Sequence, residues 1–402
     1  MKKVLAILLS LVLLAMSGCI IPVTEITLPT ESHSTTQPPR PDKPPLPIVN
    51  GGLKVQLNSL LQKYNFEGIV YLTHHGQVVY RYVSGTNDLG QPLTIESPMY
   101  ICSVSKQFCA AAILMLRDQG KLSLEDTLEK YFPEYSIGKD ITLKDLLTMR
   151  SGIVRDVDPM LAKPERYAIL TPEEQEKAFK GYVFNHPLLF DPGTDYAYSN
   201  NGYRLLSYVV EKVSGRNYED FIRLNIFEPL GMTHSGFHTE VKDHPEWGLT
   251  YDNIMATGQI PILAQGSGGI VTTAADLDKW MTALRTGKVI SMKSYREMTT
   301  GYSVIPETEL SYGYGLQSSI RDGWGHDGIN QSYTSRIFFS EAYDLNFYIV
   351  TNKTPETLQS FINRLSAMFL NTLFQALDDA PDNEKHPCSF EQGCLSISSR
   401  NP

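Results

Sequence analysis

Strand-patterned segments stand at both ends of this chain and helix-patterned ones fill its middle, an order that few architectures can accommodate. Near the start, Phe66 to Thr73 and Gln77 to Ser84 read as two strands about a His75-Gly76 turn. Near the end, Tyr312 to Gln317, Ser332 to Ser340 and Leu345 to Thr351 carry the same signal. From about residue 100 to about 290, helix signals dominate. Thr171, Pro172 and Glu174 form an N-cap, N1 and N3 set, and Thr273 with Asp276 repeats the pattern before Leu277, Trp280 and Leu284. Leu53, Leu57, Leu60, Leu61 and Tyr64 recur at helical spacing before the first strand, and a helix-like run from Glu356 to Leu377 follows the last. The expected fold is α/β of the α+β kind: an antiparallel sheet built from both chain ends and flanked by helices, with an all-helical subdomain inserted over about 100–290. A cleft between sheet and insertion is where a site is expected.

The N-terminus lies outside that fold. Lys2 and Lys3 precede an apolar run from Val4 to Met16, the layout of a secretory signal. Its ending, Met16-Ser17-Gly18-Cys19, resembles a bacterial lipobox, with Met16 where Leu is more usual. That resemblance implies a signal peptide at 1–18, a lipidated Cys19 and a protein anchored in the bacterial cell envelope on the exported side. Eight prolines between residues 20 and 50, with few large apolar side chains, make 19–50 a tether. As polyproline II it reaches roughly 90 Å. The folded body is expected over 51–380 and a polar tail over 381–402. No later stretch approaches the roughly 20 apolar residues of a membrane span. A net charge of −9 and no Lys/Arg block argue against nucleic acid as a partner.

Cysteine usage points the same way. Cys102 and Cys109 lie seven residues apart in one expected helix, about 10 Å along its axis, too far to bridge. Their apolar neighbours mark them as packing groups. Cys388 and Cys394, in the tail, are candidates for a small disulfide loop in an oxidising compartment. No Cys/His cluster has metal-ligand spacing, and no cofactor or metal is expected.

The chemistry-bearing residues begin with Ser103-Val104-Ser105-Lys106, at the start of an expected helix from Gln107 to Gln119. A serine in a first turn has the positive end of the helix dipole near its oxygen. Three residues on, Lys106 shares its face, and a lysine shielded from water loses proton affinity and can act as base. A second S-x-x-K string, Ser136-Ile137-Gly138-Lys139, contains Gly and precedes no long apolar helix, so it reads as a loop. Tyr198-Ser199-Asn200 follows the turn Asp191-Pro192-Gly193-Thr194 and precedes a helix, a placement that presents a phenol and an amide to a cleft. Tyr198 would carry a second proton if nearby positive charge lowered its ordinary pKa. Tyr251-Asp252-Asn253 repeats the lettering without that context. His326-Asp327-Gly328 precedes the strand at Ser332, where Gly lets a substrate approach and the Ile329 N–H can pair with that of Ser103 as an oxyanion hole. His74-His75-Gly76 and His234-Ser235-Gly236 are decoys that read as surface positions, and Arg336, which could reach a substrate carboxylate, reads as a solvated strand position.

S-x-x-K, Y-x-N and H-x-G in this order resemble the penicillin-recognising serine hydrolases of the class C beta-lactamase, D-alanyl-D-alanine carboxypeptidase and family VIII esterase type. Leu146 to Gly152, Pro229 to Met232, Gly268 to Thr273 and Tyr312 to Gly315 are similar too, so the likeness covers about residues 52–375. The resemblance implies a beta-lactamase/transpeptidase-like fold with Ser103 as nucleophile and Lys106 and Tyr198 as the proton-transfer pair. Asn200, His326, Gly328 and Ile329 would bind substrate. The S-D-N and K-T-G motifs of class A enzymes and a G-x-S-x-G elbow are absent. His326 stands where beta-lactamases commonly have Lys. A neutral imidazole grips a substrate carboxylate less well, which implies a preference for esters or amides with slow or absent beta-lactam turnover, and the expected partner is a small ester, amide or peptidoglycan-derived substrate. A cell-wall peptidase, a true beta-lactamase and a non-catalytic binder of peptidoglycan fragments are the rival expectations.

Overall fold

The computed structural model describes residues 51–156, 170–250, 264–319, 323–330, 332–353 and 358–378. All belong to one unit, Pro45–Pro402. The signal peptide, the tether, Cys19, Tyr251 to Asn253, Cys388, Cys394 and the tail lie outside the described residues.

Eleven strands occur among the described residues: β1 (Gly68–His74), β2 (Gln77–Ser84), β3 (Met99–Tyr100), β4 (Gly236–Phe237), β5 (Ile270–Thr272), β6 (Ser303–Val304), β7 (Ser311–Tyr312), β8 (Gln317–Ser318), β9 (Trp324–Ile329), β10 (Thr334–Ser340) and β11 (Leu345–Thr351). The helices that matter for the site are α1 (Gly51–Lys63), α2 (Lys106–Asp118), α3 (Pro172–Asn185), α4 (Asn200–Ser214), α5 (Ala274–Arg285) and α6 (Leu358–Asp378).

Eight strands form the main sheet in the order β2-β1-β11-β10-β9-β8-β7-β6. The two chain ends meet at the second and third strands from one edge, where Ile69 of β1 pairs with Val350 of β11 in antiparallel register. Alternation along each strand sorts side chains between two cores. Val70, Leu72, Phe338, Phe347 and Ile349 pack with Leu57 and Leu61 of α1 and Phe369 and Leu373 of α6. Their neighbours Ile69, Ile337, Phe339, Tyr348 and Val350 face the helical section instead. With both faces covered, β11 is buried along its whole length, which is why it reads as a continuous apolar run.

The middle section is helical with one addition. β3, β5 and β4 form a three-stranded sheet within it, each strand too short to leave a period of two in the sequence. The Thr171 capping box closes as expected, with Thr171 Oγ1 accepting from the Glu174 N–H and Glu174 accepting in return. Tyr312 to Gln317 is two strands rather than one, because the chain turns at Gly315 (φ +68°). A Cβ there would sit 2.7 Å from the Lys106 carbonyl oxygen, so β7 and β8 reach α2 only through glycine.

Candidate active site

Ser103 lies in a 3-10 turn, Cys102–Ser105, that runs into α2, and not in the α-helix itself. The distinction explains the S-x-x-K spacing. The Lys106 N–H donates to the Ser103 carbonyl, and in a 3-10 turn side chains at i and i+3 eclipse, so the hydroxyl and the amine stack directly. Cys102, just before, adopts φ 48°, a left-handed conformation that costs a non-glycine residue about 1–3 kcal/mol. Its surroundings hold it there. Ile101 N–H donates to the Ile270 carbonyl at 3.2 Å, and Ser335 Oγ donates to the Ile101 carbonyl at 2.8 Å. Farther along α2, Phe108 stacks on Trp280 and the Trp280 indole donates to Gln107 at 2.6 Å, fixing the helix on α5.

Lys106 is fully buried and its Nζ makes three contacts: Asn200 Oδ1 at 2.7 Å, the Ser267 carbonyl at 2.7 Å and Ser103 Oγ at 3.1 Å. Burial pulls its pKa from 10.5 down to about 7, with Arg155 also lowering it and Asp156 opposing. A neutral amine has two N–H bonds and one lone pair. The first two partners accept only, so both N–H bonds go to them and the lone pair is left for the Ser103 hydroxyl. The arrangement suits proton abstraction from Ser103 near neutral pH.

Tyr198 is the residue before the N-cap of α4, where Ser199 Oγ accepts from the Gly202 N–H. Its ring lies 4.9 Å from Lys106 Nζ, and the Ser103 side chain is near enough to its hydroxyl to lower its pKa. The expectation that positive charge would lower its pKa is corrected here. Burial is the largest effect and raises it, outweighing the Ser103 side chain and the Arg155 charge. Tyr198 is therefore a neutral phenol beside a lysine of reduced proton affinity, and such divergence separates a proton donor from a base.

β9 forms the opposite wall. The His326 ring lies 6.2 Å from that of Tyr198. Both its nitrogens are engaged, Nδ1 with the Asp327 carbonyl at 2.5 Å and Nε2 with the Tyr312 hydroxyl at 3.0 Å. A carbonyl only accepts, so Nδ1 carries the proton and Nε2 accepts from Tyr312. Burial, then the Lys106 charge, push the imidazole pKa down to about 3, so it is neutral at physiological pH. Gly328 packs against the serine turn so closely that a Cβ would lie 2.2 Å from the Ile101 carbonyl and 3.1 Å from Cys102 Cβ. The Asn330 N–H donates to Tyr333, and ladder bonds alternate, so Ile329, paired with Thr334, turns its N–H away from β10. On its other side β9 pairs with β8 at Trp324 and Gly325, and the turn carrying Ser103 packs against β9. The Ser103 N–H opens that turn without a partner inside it.

Ser103, Lys106 and Asn200 thus share one hydrogen-bonded group with the Tyr198 ring against Lys106, and His326, Gly328 and Ile329 lie on the strand beside it. The competing strings among the described residues lie elsewhere. Ser136 and Lys139 are exposed on another 3-10 turn, His75 is paired with Asp344, and His234 is exposed. Arg336 is not a solvated strand residue but an ion-pair partner of Asp327 at 3.5 Å. Cys102 and Cys109 are buried, with thiols pushed up to about 12 by burial. Sequence reasoning missed Arg155, Asp156, the Ser267 carbonyl and Tyr312. Among the described residues no group of three or more His, Cys, Asp or Glu side chains is placed to hold a metal ion.

Comparison with known proteins identifies the family and the fold. The profile of the Beta-lactamase family matches residues 56–367. A protein of Bacillus subtilis (strain 168) that carries the name penicillin-binding protein PbpX is 32% identical over 272 residues, 65% of this chain and 64% of its own length. A D-aminopeptidase of Brucella anthropi is 27% identical over 272 residues, 65% of this chain and 51% of its own length. The chain therefore spans less than two thirds of either relative. A crystal structure of a D-amino acid amidase from Ochrobactrum anthropi SV3 superposes with a TM-score of 0.66 at 21% identity, covering 81% of this chain and 99% of that one, a likeness of fold.

Proposed function

We propose, from the premise that this chain belongs to the Beta-lactamase family, that Ser103 is the nucleophile of a serine hydrolase acting on esters or amides. The observation that carries this reading is the valence of Lys106, whose lone pair has Ser103 as its remaining partner. Ser103 Oγ attacks the substrate carbonyl as its proton passes to Lys106, and the oxyanion forms against the Ser103 and Ile329 N–H groups. The tetrahedral adduct then expels its alcohol or amine, which takes a proton from Tyr198, and water releases the acyl group by the reverse path. Asn200 keeps Lys106 in place.

Substrate choice follows from β9. A neutral His326 with both nitrogens occupied offers no charge to a carboxylate, which supports esters and amides that do not depend on one. The D-aminopeptidase and amidase relatives favour amides of D-amino acids among these, and peptidoglycan-derived peptides are of the same class. The test incubates the protein with a fluorophosphonate and a fluorescent penicillin, maps any adduct by mass spectrometry, and then compares turnover of p-nitrophenyl esters, D-amino acid amides and penicillin. Label on Ser103 with faster ester or D-amide turnover is expected. No label from either probe would leave a binding protein, and efficient penicillin hydrolysis without esterase activity would reverse the substrate assignment.

The lipobox-like Met16 to Cys19 and the proline-rich tether support an envelope protein held by a lipid on Cys19. Cys19→Ala is expected to release it from the membrane fraction, and unchanged partitioning would refute the anchor.

A further inference from the structure

We propose that Arg155 and Asp156 are a positioning pair for the serine and its base: Asp156 dictates which end of the Asn200 amide faces Lys106, and Arg155 braces the ring of Tyr198. The inference rests on the assignment of Ser103 as nucleophile and adds residues that no motif of the sequence pointed to.

An asparagine amide presents an acceptor at one end and a donor at the other, and the two ends have nearly the same shape. Asn200 Nδ2 donates to Asp156 Oδ1 at 2.7 Å, and Asn200 Oδ1 accepts from Lys106 at 2.7 Å. A carboxylate accepts only, so Asp156 admits one orientation. Were the amide reversed, its NH2 would face Lys106, and the amine would have to turn its lone pair toward Asn200 and away from Ser103. Arg155 works on the neighbouring residue. Its guanidinium carbon lies 4.9 Å from the centre of the Tyr198 ring, and its Nε is bonded to Asp156 at 3.1 Å. The same segment grips the loop through its backbone. The Arg155 carbonyl accepts from the Asn200 and Asn201 N–H groups at 2.8 and 3.1 Å, and the Val154 carbonyl accepts from Ser199 Oγ and Asn201 Nδ2, both at 3.0 Å.

The pair also sets the charge felt by the base. Burial is the main influence on Lys106, and of the side chains around it Cys102 and Cys109 are pushed up to about 12, His326 is pushed down to about 3, and Tyr198 and Tyr203 are raised. All five are neutral near pH 7. Asp156, which raises the Lys106 pKa, and Arg155, which lowers it, are the charged neighbours acting on it among the described residues. Their side chains are 51% and 63% exposed, so substitution does not disturb the core.

The pair is tested by the rate at which a fluorophosphonate labels Ser103, followed against pH in the full chain. In that reaction the Ser103 oxygen bonds to phosphorus, its proton passes to Lys106 and fluoride leaves. Asp156→Asn keeps an acceptor for the amide but removes the charge. Its acid limb is expected to move to lower pH, with the plateau held within about threefold, whereas Asp156→Ala lowers the plateau about tenfold or more by freeing the amide. Arg155→Gln moves the limb to higher pH, and Arg155→Lys restores it. A wild-type plateau in Asp156→Ala, or limbs for Asp156→Asn and Arg155→Gln that stay put or move in one direction, would overturn the proposal. A labelled wild type with unmoved variants sinks the pair alone; a wild type that takes no label at Ser103 sinks the nucleophile assignment and the pair with it.

Discussion

Ser103→Ala is expected to lower hydrolysis by roughly 10⁴-fold or more while leaving the fold and substrate binding in place. The magnitude follows from losing the atom that becomes acylated, after which only the oxyanion donors and binding remain to accelerate attack by water. The selectivity follows from geometry. The hydroxyl contacts Lys106 and Tyr198, and nothing in either core depends on it. Steady-state turnover, fluorophosphonate labelling and a thermal melt on one preparation check this together. A variant that keeps a tenth of wild-type turnover would remove Ser103 from the chemistry, and a collapsed melt would make it a structural residue instead.

Lys106→Met is expected to lower kcat/KM about a thousandfold or more and to erase two pH dependences at once. In the wild type the base must be neutral, so kcat/KM should fall about tenfold for each pH unit below about 7. The stability argument has a definite sign. The lysine pKa is lower in the folded chain, about 7, than its ordinary 10.5. Between those values the unfolded chain binds a proton that the folded one does not, so stability rises with pH across that window and is lowest below 7, where the folded protein must hold a buried ammonium. The whole drop corresponds to about 5 kcal/mol. Methionine has no such proton, so denaturant titrations should show wild type and variant diverging by several kcal/mol between pH 7 and 10.5. Parallel curves would mean that Lys106 is not held neutral by the fold.

Ser103 and Lys106 were legible as a pair because their separation of three residues is a property of one tight turn. The tyrosine and asparagine were legible only in company, since Tyr-x-Asn occurs twice and its placement before α4 decided between the copies. Local pattern did not extend to interactions that arise when distant segments meet. The raised pKa of Tyr198 depends on how many elements cover it, and the Tyr312 bond to His326 on a hairpin whose turn required Gly315. Arg155 and Asp156 look like two charges in a loop until their contacts with α4 are seen. The long strands β1, β2, β10 and β11 were legible as β-patterned runs, whereas β3, β4, β5 and β6 are too short to leave a pattern.

The join between Ile69 and Val350 also dictates how the protein can be made. A strand near the start of the body has its lasting neighbour near the end, so during translation β1 and β2 emerge as a hairpin with an unpaired edge and wait for almost the entire sequence to leave the ribosome. Contacts this remote slow folding and leave sticky intermediates for chaperones to guard. Nascent chains arrested before β11 should therefore remain protease-sensitive throughout, acquiring resistance only once the last strand and α6 are free to close the sheet.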